Sequence, residues 1–126
     1  MQISVGTDII AVSRIQAAYD RLGKRFFARY LSDEEIATIG RIHTAAGLWA
    51  AKEAVAKALG CGIGKELSFH DMRIVKDDRG APEVRFSDES ASRHAVKACS
   101  LSISHDGDFA IAVAIIHTAK ERSCIQ

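Results

Sequence analysis

Proline is almost missing from this sequence: Pro82 is the only one in 126 residues, so a proline-rich linker or spacer is excluded. Aromatic residues make up only 6%, and the core is expected to rest on aliphatic side chains. Charge of one sign is missing too. The formal balance is +1, which removes any global electrostatic argument for a nucleic acid or a membrane as partner and leaves local clusters to be weighed. The three cysteines, Cys61, Cys99 and Cys124, are odd in number and lack framework spacing, so reduced thiols are expected rather than a disulfide scaffold. No hydrophobic run is long enough to span a bilayer. The longest, Phe109 to Ile116, reads as a buried strand. The opening MQISVGTDII lacks the basic and apolar regions of a signal peptide, and a cytoplasmic location is the expectation.

What is present is 48% hydrophobic and 26% charged residues, the balance of a globular chain. Its length suits one domain over residues 1–126. Residues 2–10 are rich in β-branched types and predict a first strand with Asp8 near its end. Ser13 offers an N-cap to a short amphipathic helix that stops at Gly23. Ser32 with Glu35 forms a capping-box pattern for a second helix to about Gly40, and a long helix is expected from about Thr44 to Leu59, closed by the glycines of GCGIG. DMRIVKDDRGAPEVRF predicts a hairpin with Pro82 at an edge or strand start. Ser87 and Asp88 can cap a helix to about Ala98. CSLSISHDGDFAIAVAII predicts a second hairpin with His105 at its tip. With no repeats or linkers, the fold class is α+β, a mainly antiparallel sheet packed with a long central helix.

The long helix contains the stretch GLWAAKEAVAKALG, Gly47 to Gly60. At about 100° per residue, Glu53 and Lys57 lie off the main apolar stripe of Leu48, Ala51, Val55, Ala58 and Leu59. Glu four residues before Lys is a favourable surface pair. Yet the rest of that face is Trp49, Ala50 and Ala54, so another element, a subunit or a ligand is expected to cover it. Asp8 is the best candidate for a second acid, since a charge in an apolar strand is costly when unpaired; the alternative is a helix-capping or turn-forming Asp before Ser13. Two carboxylates with water and phosphate oxygens make a plausible Mg2+ site.

Three segments in order, GTDI, WAAKEAVAKALGCGIG and SISHDGDFAIA, resemble the stand-alone 4'-phosphopantetheinyl transferases, the holo-acyl-carrier-protein synthase family. The likeness extends to KRFFARYLSDEE and LSFHDMRIVKDDRGAPEV and so covers nearly the whole chain. It implies Mg2+-dependent transfer of phosphopantetheine from coenzyme A to a serine of apo acyl carrier protein, of fatty-acid or polyketide synthesis, with release of adenosine 3',5'-bisphosphate. It implies Asp8 and Glu53 as metal ligands, Lys57 and Gly60 as residues meeting the coenzyme, and a homotrimer in which His105 reaches a neighbouring subunit's site. Glu53, Lys57 and His105 are the catalytic candidates, with Glu53 or a metal-bound water as base. The family commonly has a basic residue where this chain has Leu48, and Lys52 or Arg41 are the candidates to replace it. The alanines would allow close packing around coenzyme or a neighbouring subunit. His43, His70, His94 and His117 have no motif partners.

Between Arg14 and Arg29 stand five cations, Arg14, Arg21, Lys24, Arg25 and Arg29, against Asp20 alone. Such a cluster is often a solvated helix face, but it also suits an acidic protein partner. Arg14 matches a carrier-contacting position of the family, and Arg21 and Arg25 are assigned with it. Two rival readings stand beside it: another Mg2+-dependent phosphoryl transferase, and a non-catalytic oligomeric α+β binding module.

Overall fold

The computed structural model describes residues 1–119; Cys124 lies outside them. The elements in chain order are β1 (Gln2–Ala11), α1 (Val12–Leu22), α2 (Lys24–Ala28), α3 (Asp33–Ile36), α4 (Ile42–Leu59), a 3-10 turn (Phe69–Asp71), β2 (Met72–Lys76), β3 (Pro82–Phe86), α5 (Asp88–Arg93), β4 (Val96–Asp106) and β5 (Phe109–Thr118). Strands β1, β5 and β4 form an antiparallel sheet with β5 in the centre, and β2 pairs with β3 as a separate hairpin. The class is α+β, and both expected hairpins are present. Among the described residues no helix is long and apolar enough to cross a membrane.

Helix α4 lies on one face of the sheet, against β1 and β5. That approach needs small side chains on both sides. Ala50, Ala51, Ala54 and Ala58 of α4 and Ala110, Ala112 and Ala114 of β5 are all buried. The alanines thus serve packing within the chain, not the packing around a coenzyme or neighbour that the sequence suggested. At Gly6 the backbones touch: a Cβ there would collide with the Ala54 carbonyl oxygen and the Ala58 nitrogen. Helix backbone yields little, so Gly6→Ala is expected to destabilise by about 1–3 kcal/mol or more. A thermal melt checks this, and an unchanged midpoint would contradict the close approach.

Several boundaries differ from the sequence reading. β1 runs on to Ala11, with Asp8 opposite Ala112 and Ile10 opposite Ala110, so Asp8 lies inside the strand rather than at its end. Ser13 is not the cap of α1. Ala11 holds that position without a side-chain bond, and the free Val12 N–H donates instead to the Asp108 carbonyl in the β4–β5 turn, at 2.7 Å. The Ser32–Glu35 capping box is formed, but α3 ends at Ile36 because tighter i→i+3 bonds at Thr38 and Ile39 wind it down. α4 begins at Ile42, two residues before the expected start. α5 stops at Arg93, where Ala95 takes a left-handed conformation (φ 52°) and turns the chain into β4.

The run Phe109 to Ile116 is half-buried rather than buried. Its even positions face α4, and its odd ones join an uncovered face with β1. Ile3, Val5, Ile9, Phe109, Ile111 and Ile115 there are between 41% and 63% exposed. The scarce aromatics also do more than expected. Tyr19, Phe26, Phe27, Tyr30, Trp49 and Phe69, six of the eight in the sequence, form a connected cluster on the other side of α4. Trp49 is therefore covered by its own chain.

Candidate active site

Gly6 and Asp8 are two apart on β1 and share the face turned toward α4. The contact at Gly6 carries Asp8 to the last two turns of α4. There the Lys57 Nζ donates to Asp8 Oδ1 at 3.0 Å. Lys57 does not pair with Glu53, so the helical i,i+4 ion pair offered by the sequence is replaced by a bond to the strand. The Glu53 side chain makes no hydrogen bond or ion pair with the described residues. Its carboxyl is pushed up from the usual range, first by burial and next by the negative charge of Asp8, against the opposing pull of Lys57.

An acid pair that repels itself, with one member unpartnered, is an arrangement that a cation relieves. Asp8 and Glu53 are only two carboxylates, and among the described residues no group of three or more His, Cys, Asp or Glu is placed to hold a metal. That donor set fits Mg2+, which usually keeps several waters and takes one or two carboxylates with substrate phosphate oxygens. It does not fit a closed structural site.

Gly60 ends the helix one turn past Lys57. It adopts the left-handed conformation at φ 77° and ψ 10°, and its N–H donates to the Lys57 carbonyl at 3.0 Å. Helix end, Lys57 and acid pair are thus contiguous.

His105 is elsewhere in the same chain. It is one residue before the end of β4, opposite Ala110, beside the second turn of α4. A Cβ on Gly47 would stand 2.9 Å from His105 Nε2, so the missing side chain makes the histidine's room. Nε2 lies 2.9 Å from the His43 carbonyl oxygen; a carbonyl only accepts, so Nε2 carries the proton and Nδ1 is left for another partner. Gly47 and Glu53 are six residues apart on α4, roughly 9 Å along its axis and on different faces. The structure brings Asp8, Glu53, Lys57 and Gly60 together and leaves His105 outside that group. Next to His105 a cavity of about 440 Å³ is lined by Thr44, Leu48, Arg73, Lys76 and Ile103 among others. Leu48 faces it, 8% exposed.

Lys52 cannot replace a missing surface cation. It is fully buried, and its Nζ donates to the Tyr30 carbonyl at 2.7 Å, Glu35 Oε1 at 2.9 Å and the Phe69 carbonyl at 3.2 Å. Burial lowers its basicity and Glu35 counters that. Removing either partner would strand a buried charge, which costs about 3–5 kcal/mol. Sequence reasoning missed this pair. The signal was present: Lys52 sits near 300° on the helical wheel, at the border of the apolar stripe rather than opposite it.

Arg14 and Arg21, seven residues apart, share one face of α1, and Arg25 follows on α2; all three are exposed. Lys24 and Arg29 are exposed as well, and none of the five makes an ion pair with the described residues. Asp20 is engaged by Gln16 at 2.8 Å. His70 and His94 each bond a backbone carbonyl, of Ala28 and Glu66, which are structural duties. The Cys61 thiol lies 4.0 Å from the Ala56 carbonyl oxygen, and burial pushes the Cys99 thiol up to about 11, so little Cys99 thiolate forms near neutral pH.

Residues 4–114 match the 4'-phosphopantetheinyl transferase superfamily. The chain is 57% identical over 114 residues to a holo-[acyl-carrier-protein] synthase of Sulfurovum sp., covering 90% of this chain and 96% of that one. It is 48% identical to the synthase of Sulfurimonas denitrificans, covering 90% and 94%. Among solved structures it is similar to the Helicobacter pylori holo-[acyl-carrier-protein] synthase in complex with coenzyme A, with TM-score 0.87 and 41% identity over 90% of this chain and 99% of that one. The Neisseria meningitidis synthase is similar at TM-score 0.84 and 31% identity, covering 91% and 98%.

Proposed function

The chain belongs to the holo-[acyl-carrier-protein] synthases of the 4'-phosphopantetheinyl transferase superfamily, and on that premise we propose that it moves phosphopantetheine from coenzyme A to a serine of apo acyl carrier protein. The observation that carries the reading is the group of Asp8, Lys57 and Glu53 at the end of α4. Asp8 and Glu53 would hold Mg2+, which when bound neutralises charge on the diphosphate of the coenzyme. Lys57, half exposed and held among the described residues by Asp8 alone, is free to turn to a phosphate oxygen of the leaving group, and Gly60 leaves the backbone beside it open to the coenzyme.

In the reaction, the carrier's serine oxygen forms a bond to the β-phosphorus while the bond from that phosphorus to the bridging oxygen breaks. Adenosine 3',5'-bisphosphate leaves, with its new charge facing Lys57. The serine proton passes to Glu53, whose basicity is raised by burial and by Asp8, or to a water beside it. The work is assigned to the cytoplasm.

A homotrimer completes the site. Two features support it: the uncovered apolar face of β1 and β5, which is the kind of surface that marks a protein interface, and the position of His105 apart from the acid pair of its own chain. In a closed ring each chain would present His105, through Nδ1, to coenzyme bound at a neighbour's Asp8 and Glu53.

Incubation with apo acyl carrier protein, coenzyme A and Mg2+ is expected to add one phosphopantetheine group to the carrier, read by mass spectrometry. A set of carriers that all stay unmodified would favour the rival phosphoryl transferase or non-catalytic module. Arg14, Arg21 and Arg25 are assigned to the acidic carrier. Arg14→Ala is expected to raise the carrier KM roughly three- to tenfold and to reduce its salt dependence, with coenzyme A KM unchanged. Weakened coenzyme binding with a normal carrier KM would remove Arg14 from that surface.

A further inference from the structure

Between the basic helices and the acid pair lies a buried junction that the proposed chemistry never touches. Lys52 has three N–H bonds and meets three acceptors, on Tyr30, Glu35 and Phe69. The Glu35 carboxylate is filled in turn. Besides Lys52, Oε1 accepts from the Ser32 N–H at 2.8 Å, and Oε2 accepts from the Ile74 N–H at 2.8 Å. Both side chains are at most 1% exposed. One point thus joins the segment between α2 and α3, helix α4, the 3-10 turn and β2.

Stability alone does not call for such a pair, because apolar side chains of similar volume often hold a core as well or better. What a fully satisfied ion pair adds is direction. α4 needs it. Toward the sheet the helix presents mostly alanines, whose apolar contacts include no polar bond to set an angle. Lys52 is its one long buried side chain with bonds that specify an angle. Glu53 is the next residue, about 100° around the helix and 1.5 Å along it, so whatever fixes Lys52 also fixes the direction of Glu53.

We propose that Lys52 and Glu35 are positioning residues, whose buried pair holds α4 at the rotation that faces Glu53 toward Asp8. The inference rests on the reading that this acid pair holds a divalent cation. It gives the Lys of the K-E pair a task distinct from that of Lys57: it touches no substrate and acts through Glu53.

Manganese provides a readout separate from activity. Its affinity for the full-length protein, followed by the loss of the free-ion EPR signal, is expected to fall about tenfold in Glu35→Gln, measured well below the melting temperature. The Mg2+ concentration for half-maximal transfer is expected to rise by a similar factor, and kcat to fall at unchanged coenzyme A KM. A folded Glu35→Gln protein with parental manganese affinity and parental kcat overturns the inference, because a purely structural role moves only the melt. Should Glu35→Gln fail to fold, Glu35→Asp keeps the charge but is too short to hold Lys52 and the Ile74 N–H together. It is expected to show the same weakening in milder form, and parental affinity there overturns the inference equally. A parent protein that binds no manganese overturns the metal reading and this inference with it. A parent that binds manganese but modifies no carrier overturns the transferase reading alone.

Discussion

Glu53→Gln is expected to reduce phosphopantetheine transfer by about a thousandfold, the scale seen when a group aimed at transition-state charge is removed, without loss of the fold. Glutamine keeps the shape but surrenders the charge that would hold Mg2+ opposite Asp8. Stability should move the other way. Burial and Asp8 raise the Glu53 carboxyl above its unfolded value. A raised acid lends stability that is fully present below the unfolded pKa and is lost as pH rises through the folded one. Near neutral pH the charged side chain is therefore a cost, and the neutral variant is expected to melt at or above the parent temperature. Kinetics and a melt on one preparation check both halves. Near-parental transfer would take Glu53 out of the site, and a large drop in the midpoint would make it a structural residue.

Ile115→Lys is expected to have the second large effect, at a residue remote from every charged group of the site. Ile115 is central on the uncovered sheet face, opposite Val5 on β1 and Ser100 on β4, and 45% exposed in the single chain. A lysine there is tolerated by an isolated chain but places like charges together at the axis of the proposed trimer. Sedimentation is expected to show folded monomers, and transfer to fall by about a hundredfold, since misplacement of one half of a site is enough for that. A variant that remains trimeric, or a fully active monomer, would show that this face does not assemble the site.

Much of the architecture was legible because its signals are local. The capping box at Ser32 and Glu35, the Asp-Gly turn after His105 and the glycine after Leu59 each act through bonds within a few residues. Boundaries failed where a distant group decided them. Val12 needed no side-chain cap because Asp108, nearly a hundred residues on, supplies the carbonyl. The chemical identities of Asp8, Glu53 and Lys57 could be read from their order in a motif, but their pairing could not: helix periodicity couples Lys57 to Glu53, and only the Gly6 contact brings Asp8 in as the nearer partner. Lys52 was misjudged for a related reason. A lysine's default is solvent, and its place at the border of the apolar stripe hints at burial without naming the three acceptors, which come from three separate segments. The uncovered face of the sheet was hidden as well, because an apolar run looks the same whether a helix or another subunit covers its second side.

One catalytic site is expected to draw Asp8, Glu53 and Lys57 from one chain and His105 from another. Trimers of Glu53→Gln alone and of His105→Ala alone are each expected to be impaired. Unfolding the two together in equal amounts and refolding them should restore transfer at about a quarter of the sites, those in which a His105→Ala chain supplies the acids and its Glu53→Gln neighbour supplies the histidine. Activity of the mixture at that level, well above the mean of the two separate variants, is the predicted result. Activity no greater than that mean, in mixed trimers verified by native mass spectrometry, would contradict it.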